Sequence, residues 1–296
     1  MTTRARRRPA RPRPPLLVGA VVLALLAGCA TGGDDAPVDD APASSPAADE
    51  GDGPRLPAVG AAFDYQLAGP YPPADGVTVV ARDRTEPPAG LGYDVCYVNG
   101  FQTQPADSET FAREHPDLVL QVDGAPLVDP GWPDEHLYDT STPEKRAALV
   151  DLVRPWVEGC ADDGFDAVEI DNLDSFTRSR GLLTADDNVA LAADYARLAH
   201  DAGLAIGQKN TVEETERVRA AGYDFAVTES CYEFDECGDY LEHYDVVLDV
   251  EYVDELGEEA FPAACEDPDR PPSMVLRDHD LLTPADDGYV FEDCGG

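Results

Sequence analysis

The sequence predicts an α/β protein built as a single (β/α)8 TIM barrel, and three observations support this class. Short apolar or β-branched segments alternate with helical patterns, as in successive βαβ units. Eight such segments are present, and the chain behind its leader has the length of one barrel domain. We therefore expect a barrel over residues 58–296, preceded by a signal peptide over residues 1–28 and a tether over residues 29–57.

The leader is typical of an export signal. Six arginines and no acid precede residue 14, and an apolar stretch of twelve residues follows at 16–27. That stretch is too short to cross a bilayer, which takes about 20 residues. Its ending, Leu26-Ala27-Gly28-Cys29, resembles a bacterial lipobox, which implies a lipid on Cys29 and anchoring to the outer face of the cell membrane. The alternative is an ordinary cleaved signal with an incidental cysteine.

The segment behind the leader is poor in apolar residues. Val38 and Leu56 are the only large ones between residues 31 and 57. Such a composition cannot bury enough surface to offset chain entropy, so we expect a flexible tether.

Seven cysteines leave six when Cys29 is set aside, which suits three disulfides in an exported chain. Six cysteines allow 15 connectivities. Cys231 and Cys237 are close enough to pair locally, and the other pairs that join predicted neighbours are Cys96–Cys160 and Cys265–Cys294. A metal–thiolate site is the alternative, although the spacings differ from those of zinc knuckles.

The charge balance is strongly acidic. Six of the 21 basic residues lie in the leader, so 15 basic residues remain against 60 acidic ones. Such a surface repels nucleic acid and attracts polycations. Solubility in a salty medium would explain the same charge. We expect a monomer that binds no nucleic acid.

The eight predicted strands cover residues 63–67, 77–81, 94–98, 166–170, 204–208, 224–228, 246–250 and 274–277. Helical patterns cover residues 143–159, 184–202 and 212–221, with Ser141 or Thr142 and Thr184 as N-caps. Between the third and fourth strands, an Asp-Gly pair within residues 118–128 predicts a hairpin inserted at the barrel rim.

Polar residues follow the predicted strands, at the edge where barrel active sites are assembled. The fourth strand leads into Asp171-Asn172-Leu173-Asp174, the fifth into Lys209-Asn210 and the sixth into Glu229. Lys209 is one of two lysines in the chain. A lysine beside carboxylates suits an active site, and a structural ion pair is the alternative.

Six segments carry a family resemblance through their order and spacing. They are FDYQL at 63–67, CY at 96–97, GFDAVEIDNLD at 164–174, GQKN at 207–210, DFAVTESC at 224–231 with EC at 236–237, and EY at 251–252. Together they resemble glycoside hydrolase family 114, the endo-α-1,4-polygalactosaminidases, over nearly the whole chain after the tether. One segment departs: many members have Tyr-x-x-x-Gly-Glu after strand three, where this chain has YVNGFQTQP at 97–105.

The resemblance implies a barrel that cleaves α-1,4-linked galactosamine polymers with Asp171 and Glu229 as catalytic carboxylates. Glycosidic cleavage needs one protonated and one ionised carboxyl, whose separation sets the stereochemical outcome. Glu169 lies two residues before Asp171, so it should point into the barrel one layer deeper, where it could hold a proton or pair with Lys209.

A deacetylated galactosamine polymer is a polycation, which carboxylates and tyrosine rings can bind. The predicted substrate-binding residues are Asp64, Tyr65, Tyr97, Glu169, Asn172, Asp174, Lys209, Asn210, Glu251, Tyr252 and Arg277.

Two other functions fit the same residues. The first is a non-catalytic saccharide-binding surface lipoprotein on the same barrel. The second is a metal-dependent hydrolase that uses the acidic cluster. We expect no metal and no cofactor, because of five histidines only His279 lies just past a predicted strand; the others are His115, His136, His200 and His243.

Overall fold

A computed structural model of the protein describes residues 53–294. The strands are Phe63–Gln66 (β1), Val79–Asp83 (β2), Tyr93–Asn99 (β3), Gln121–Val122 (β4), Ala125–Pro126 (β5), Ala167–Asp171 (β6), Ala205–Lys209 (β7), Phe225–Glu229 (β8), Val247–Tyr252 (β9), Ser273–Arg277 (β10) and Phe291–Asp293 (β11). The α-helices are Ser108–Glu114 (α1), Pro143–Asp163 (α2), Ser175–Arg178 (α3), Ala185–Asp201 (α4), Thr215–Ala221 (α5), Cys237–Leu241 (α6) and Phe261–Cys265 (α7).

The main sheet confirms the predicted barrel. Its strand order is β1-β2-β3-β6-β7-β8-β9-β10-β11, and every pair is parallel except β10 with β11. The eight parallel strands are the eight predicted ones, with ends that differ by a few residues. The additional strand β11 was not predicted, because it has three residues and two of them are acidic.

The hairpin insertion after strand three is also confirmed. Strands β4 and β5 pair antiparallel in the long connection from β3 to β6. Their turn, Asp123-Gly124, has positive φ angles of 52° and 81°. Two successive positive φ angles match the right-handed twist of a two-residue hairpin and explain the Asp-Gly pair.

Capping residues define the predicted long helices. Thr142 caps α2 by accepting a bond from the Lys145 backbone N–H, and Gly164 ends that helix with φ 94°. Helix α2 extends to Asp163, one turn beyond its predicted end, because Gly164 and not Gly159 takes the left-handed conformation. Thr184 forms a reciprocal capping box with Asp187 at the start of α4. The predicted helix at 212–221 is split into a 3₁₀ turn, Val212–Glu214, and α5.

Two apolar layers hold the barrel together. The inner layer fills the barrel and includes Tyr65, Val95, Phe225 and Val250. The outer layer joins the sheet to the helices and contains buried residues of α2, α4 and the outward strand positions. Gly207 fits the inner layer because a Cβ there would lie 2.8 Å from the Phe225 ring. A fully buried Leu or Phe contributes about 1.5–3 kcal/mol to stability.

All three predicted disulfides are present and thereby confirmed. They join Cys96 to Cys160, Cys231 to Cys237 and Cys265 to Cys294, with Cα–Cα distances of 6.1, 4.8 and 5.1 Å. The first ties β3 to α2, and the third ties α7 to the segment after β11. Cross-links of this kind stabilise mainly by restricting the unfolded chain.

The sheet has two edges, β1 and β11, and a side chain bridges the seam between β1 and β10. Arg277 at the end of β10 donates to the backbone oxygens of Tyr65, Leu282 and Val290 and pairs with Asp64 Oδ1 at 3.1 Å. The guanidinium therefore closes the barrel where the strand ladder stops.

The predicted signal peptide, Cys29 and most of the tether lie outside the described residues. The last tether residues, 53–57, are described, and there Arg55 contacts Asp166 and the Gly92 carbonyl at the start of the strands. Within residues 53–294, none of the helices has the length and apolar character that crossing a bilayer requires.

Candidate active site

A cleft of about 260 Å³ opens at the C-terminal edge of the barrel strands. This is the edge at which barrel enzymes build their active sites. Its floor comes from β3, β6, β7, β8 and β9, and its walls come from the connections that follow β1, β5, β6 and β10. The lining residues are Leu67, Tyr97, Asp129, Gly131, Trp132, Asp171, Asn172, Asp174, Arg178, Lys209, Asn210, Glu229, Tyr252, His279 and Leu281.

Lys209 is the centre of the cleft floor. Its Nζ lies 2.9 Å from Glu229 Oε2, 3.4 Å from Asp171 Oδ1 and 3.8 Å from Glu169 Oε1. The side chain is 3% exposed. Burial alone would lower the pKa of Lys209, but the three carboxylates outweigh it and hold that pKa well above its usual value. Lys209 is therefore a permanent positive charge, and a side-chain ammonium occupies the middle of this acid cluster.

Glu229 is held as an anion by three neighbours. Lys209 and Asn210 Nδ2 each lie 2.9 Å from Oε2, and the Tyr252 hydroxyl donates to Oε1. Asn210 also accepts a bond from the Glu229 backbone N–H through its own Oδ1, at 2.8 Å. Burial raises the pKa of Glu229, but the Lys209 charge and these hydrogen bonds outweigh burial and lower the pKa to about 2.

Asp171 lies at the end of β6 on the other side of Lys209. The Tyr97 hydroxyl donates to its Oδ2 at 2.6 Å, and the Asn172 backbone N–H donates to its Oδ1 at 2.7 Å. Asn172 has φ 66°, so the chain turns sharply after the strand and brings this N–H back onto the carboxylate.

Glu169 lies one layer below, fully buried. It accepts a bond from the Tyr65 hydroxyl at 2.6 Å, and its Oε2 is left without a hydrogen-bond partner among the described residues. Burial raises the pKa of Glu169 to about 7, with the Asp171 charge adding to the effect and Lys209 opposing it. A raised pKa is the expected consequence of burying a carboxylate oxygen that has no hydrogen-bond partner.

The two predicted catalytic carboxylates are close together. Because Asp171 Oδ1 and Glu229 Oε2 both contact Lys209 Nζ, at 3.4 and 2.9 Å, they can be no more than about 6.3 Å apart. Both side chains are partly open to the cleft, with exposed fractions of 17% and 30%. Both carboxyl groups are therefore accessible from the cleft.

The structure brings most of the predicted site residues together, but five of them are buried and do not line the cleft. Asp64 and Arg277 form the buried pair at the barrel seam, 1% and 0% exposed. Tyr65 and Glu169 are fully buried beneath Lys209 and support the cleft floor. Glu251 lies on the outer face of β9, because consecutive strand residues face opposite sides and Tyr252 faces inward.

The remaining predicted residues line or border the cleft. Tyr97, Tyr252, Asn172 and Asn210 surround the two carboxylates through the hydrogen bonds above. Asp174 is 37% exposed and shares an ion pair of 2.6 Å with Arg178.

Sequence reasoning did not assign four polar or aromatic lining residues to the site, which are Asp129, Trp132, Arg178 and His279. His279 stacks on Tyr252 with ring centroids 4.3 Å apart, and its Nδ1 lies 3.2 Å from Asp254. Trp132 is one of two tryptophans in the chain, which is the signal that could have drawn attention to it. The other two lie in loop and helix positions whose partners only the fold brings near.

The segment at 97–105, which departs from the family pattern, is hydrogen-bonded to a carboxylate from elsewhere in the chain. Glu135, from the connection before α2, accepts bonds of 2.9 Å from the side chains of Asn99 and Gln102. Asn99 Oδ1 in turn accepts a bond from Asn172 Nδ2 at 3.1 Å. The departing segment is therefore connected to the residue that follows Asp171.

Fold and site together define the protein as a barrel enzyme of the glycoside hydrolase class, with paired carboxylates at the strand ends. A family model described as glycoside-hydrolase family GH114 matches residues 43–296. The chain belongs to glycoside hydrolase family GH114. The match begins within the segment predicted as tether. A comparison with curated protein sequences finds no match.

Two solved structures are similar to this chain. Ega3 of Aspergillus fumigatus, in complex with galactosamine, has 22% identity and a TM-score of 0.64, and the match covers 80% of this chain and 96% of that one. The glycoside hydrolase domain of PelA from Pseudomonas aeruginosa has 13% identity and a TM-score of 0.54, with coverages of 77% and 97%. At these identities the similarity establishes the shared fold.

Proposed function

We propose that the protein is an exported glycosidase that cleaves α-1,4-linked galactosamine-containing polysaccharide with Asp171 and Glu229 as its catalytic pair. The observation that carries the proposal is the position of these carboxylates on either side of Lys209 in an open cleft of a GH114 barrel. Catalysis needs the two groups in different protonation states during the reaction.

The spacing favours retention of anomeric configuration. Retaining glycosidases have carboxyl groups about 5–5.5 Å apart, and inverting ones about 6.5–9.5 Å apart, which leaves room for a water. The oxygens of Asp171 and Glu229 that contact Lys209 are at most about 6.3 Å apart, which is compatible with the shorter, retaining spacing. One carboxylate would attack the anomeric carbon and form a glycosyl-enzyme, which water then hydrolyses. Proton NMR of the first products would reveal the α anomer for this course and the β anomer for inversion.

The pKa of Glu229 bears on how the two roles divide. At about 2, it leaves Glu229 charged in the resting enzyme. Glu229 either acts as the ionised partner or gains a proton after substrate displaces Lys209 from it. An aryl galactosaminide with a good leaving group needs no acid, so the variant that lacks the acid keeps activity on it and the variant that lacks the nucleophile does not.

The substrate class follows from charge. A deacetylated galactosamine unit carries an ammonium, and the cleft offers carboxylates at Asp171, Asp174 and Glu229. The acidic surface, 60 acidic against 21 basic residues over the whole chain, attracts a polycation from a distance. The similar Ega3 structure holds galactosamine.

We also propose that the mature protein is a monomer anchored through lipid on Cys29, facing outward from the membrane. The lipobox-like Leu26-Ala27-Gly28-Cys29 supports this. Radiolabelled palmitate should label the wild type and not Cys29→Ala, which should appear in the medium. Label on the variant would contradict the proposal.

The test of the activity uses the fragment from residue 53 onward with partially deacetylated α-1,4-galactosamine polymer. Reducing ends should accumulate with the wild type, and Asp171→Asn should reduce the rate by about 10²–10⁴-fold. Asp151→Asn, an exposed change on α2, is the matched control and should retain the full rate. Retention of the polymer without cleavage by the wild type would indicate a saccharide-binding protein instead.

A further inference from the structure

Trp132 is a large apolar side chain left in the open. It is 57% exposed and lines the cleft in the connection between β5 and α2. The carboxylate of Asp174 and the guanidinium of Arg178 line the same cleft. An indole has up to about 250 Å² to bury, so its exposure beside a polar cleft points to a ligand that covers it.

The turn that carries Trp132 is held rigidly. Asp129 Oδ1 accepts bonds from the backbone N–H groups of Gly131, at 2.7 Å, and Trp132, at 3.2 Å. The Glu135 backbone N–H donates to the Trp132 carbonyl at 2.9 Å. A Cβ on residue 131 would lie 3.3 Å from Asp129 Oδ1, so glycine suits this close approach. The indole is therefore presented on a fixed backbone.

A chain of hydrogen bonds connects this turn to the catalytic strand. Arg178 donates through Nε to Asp129 Oδ2 at 2.5 Å and through Nη2 to Asn172 Oδ1 at 2.9 Å. The Asn172 backbone N–H donates to Asp171 Oδ1 at 2.7 Å. Asp129 is fully buried, so the pair with Arg178 is shielded from water. The position of Trp132 is thus tied to that of Asp171.

We propose that Trp132 is the platform of a sugar subsite that takes one aminosugar unit of the polymer, with the ring stacked on the indole and the ammonium paired with Asp174. The inference rests on the proposed function, whose cleft it extends. Tryptophan is the strongest aromatic partner for a cation, and its flat face suits the apolar face of a pyranose. Asp174 is 37% exposed, so its carboxylate is open to the cleft while it binds Arg178. The subsite therefore selects cationic over anionic sugars.

Tryptophan fluorescence tests binding directly, because the chain has two tryptophans. The second is Trp156 on α2, and the guanidinium carbon of Arg84 lies 4.4 Å from the centroid of the Trp156 ring. In Asp171→Asn/Trp156→Phe, Trp132 is the single emitter, and a galactosamine oligosaccharide should change its emission saturably. The matched protein Asp171→Asn/Trp132→Phe, which emits from Trp156, should not respond. No response from either protein, under conditions where the wild type cleaves the polymer, would overturn the proposal.

Kinetics supply a second test that a structural role would not satisfy. Trp132→Ala should raise KM for the polymer about tenfold and leave kcat within about twofold, and Trp132→Phe should recover most of the loss. Equal thermal midpoints would show that the variants fold. An unchanged KM for Trp132→Ala would overturn the subsite while the glycosidase stands. If the wild type does not cleave the polymer, the proposed glycosidase activity is wrong. The fluorescence of Trp132 then still shows whether the sugar binds at this subsite.

Discussion

The barrel buries two groups of carboxylates on opposite faces of its sheet, and their surroundings differ. Glu169, Asp171 and Glu229 face inward and converge on Lys209. Asp249 and Glu251 face outward from β9, beneath the loop closed by the Cys231–Cys237 disulfide. Within residues 53–294, neither member of this outer pair forms a salt bridge with a basic side chain.

The surroundings of the outer pair favour its protonated form. Asp249 accepts from the Thr228 hydroxyl at 2.7 Å, and Glu251 accepts from the Tyr232 backbone N–H at 2.8 Å. Burial and the neighbouring Asp249 charge raise the pKa of Glu251 to about 9, and burial also raises the pKa of Asp249. The comparison teaches that burial without a nearby cation favours the neutral acid, whereas the close lysine and its neighbours keep Glu229 charged.

The largest effect should come from Lys209→Met, which removes the cation that distinguishes the two groups. Three acids would then face one another unpaired, so we expect a loss of about 3–5 kcal/mol in unfolding free energy. The rate should fall by at least about 10²-fold, because the charge arrangement of the proposed catalytic pair is lost. Urea unfolding and reducing-end assays measure both.

The other lysine provides the control. Lys145 pairs with Asp139 near the start of α2 and is 31% exposed. Lys145→Met should cost no more than about 1 kcal/mol and leave the rate unchanged. Similar losses in both variants would refute a special role for Lys209.

Replacement of a glutamate by glutamine should reduce activity on the inner face of the sheet and leave it unchanged on the outer face. Glu229→Gln should reduce kcat by about 10²–10⁴-fold, because the charge of a proposed catalytic carboxylate is lost. Glu251→Gln replaces an acid that is already neutral by an amide of the same shape, so kcat should stay within about twofold. Steady-state kinetics on the polymer would measure both, and a large loss in Glu251→Gln would place the outer pair in the mechanism.

The outer pair should make stability depend on pH. The pKa of Glu251 is raised from 4.5 in the unfolded chain to about 9 in the fold, so the native state binds the extra proton. Its stabilising contribution is complete below pH 4.5 and is lost as the pH rises toward 9. Unfolding free energy should therefore decline more steeply over this range in the wild type than in Glu251→Gln. Urea titrations at a series of pH values would measure the slope of unfolding free energy against pH in each protein. Equal slopes would contradict the raised pKa of Glu251.

The smallest effect should come from His279, which contacts the inner group indirectly. It stacks on Tyr252, whose hydroxyl donates to Glu229. His279→Ala should lower kcat severalfold, because Tyr252 loses a contact worth about 0.5–1.5 kcal/mol. His279→Phe should restore the stack and most of the rate. If alanine and phenylalanine behave alike, the stack does not position Tyr252.

The two groups of carboxylates also show which features of the fold and the site can be predicted from the sequence. The barrel was predictable because eight apolar segments and their polar ends recur along the chain, and Asp171, Lys209 and Glu229 all follow such segments directly. Glu251 also follows one, yet it faces outward, because β9 extends to Tyr252 and the alternation then decides the face. A shift of one residue in a predicted strand end exchanges the two faces.

Other features depended on contacts between distant segments. Trp132 lies in irregular chain, where no periodicity marks the side that a residue faces. Arg277 follows a strand, as predicted, but the gap beside β1 draws its guanidinium to Asp64 and away from the cleft. The disulfides could be predicted because Cys231 and Cys237 are close in sequence and the other two pairs join elements that the barrel order makes neighbours.

The seam at Arg277 also bears on how the protein avoids self-association. A strand with a free edge invites pairing with another molecule. Here β1 is buried along its whole length, and the Arg277 guanidinium donates a hydrogen bond to the Tyr65 backbone carbonyl. The opposite edge, β11, is only three residues long and carries Glu292 and Asp293. Edge strand β1 is thus buried, and edge strand β11 is short and charged. Neither edge of the sheet is therefore suited to pairing with a strand of another molecule.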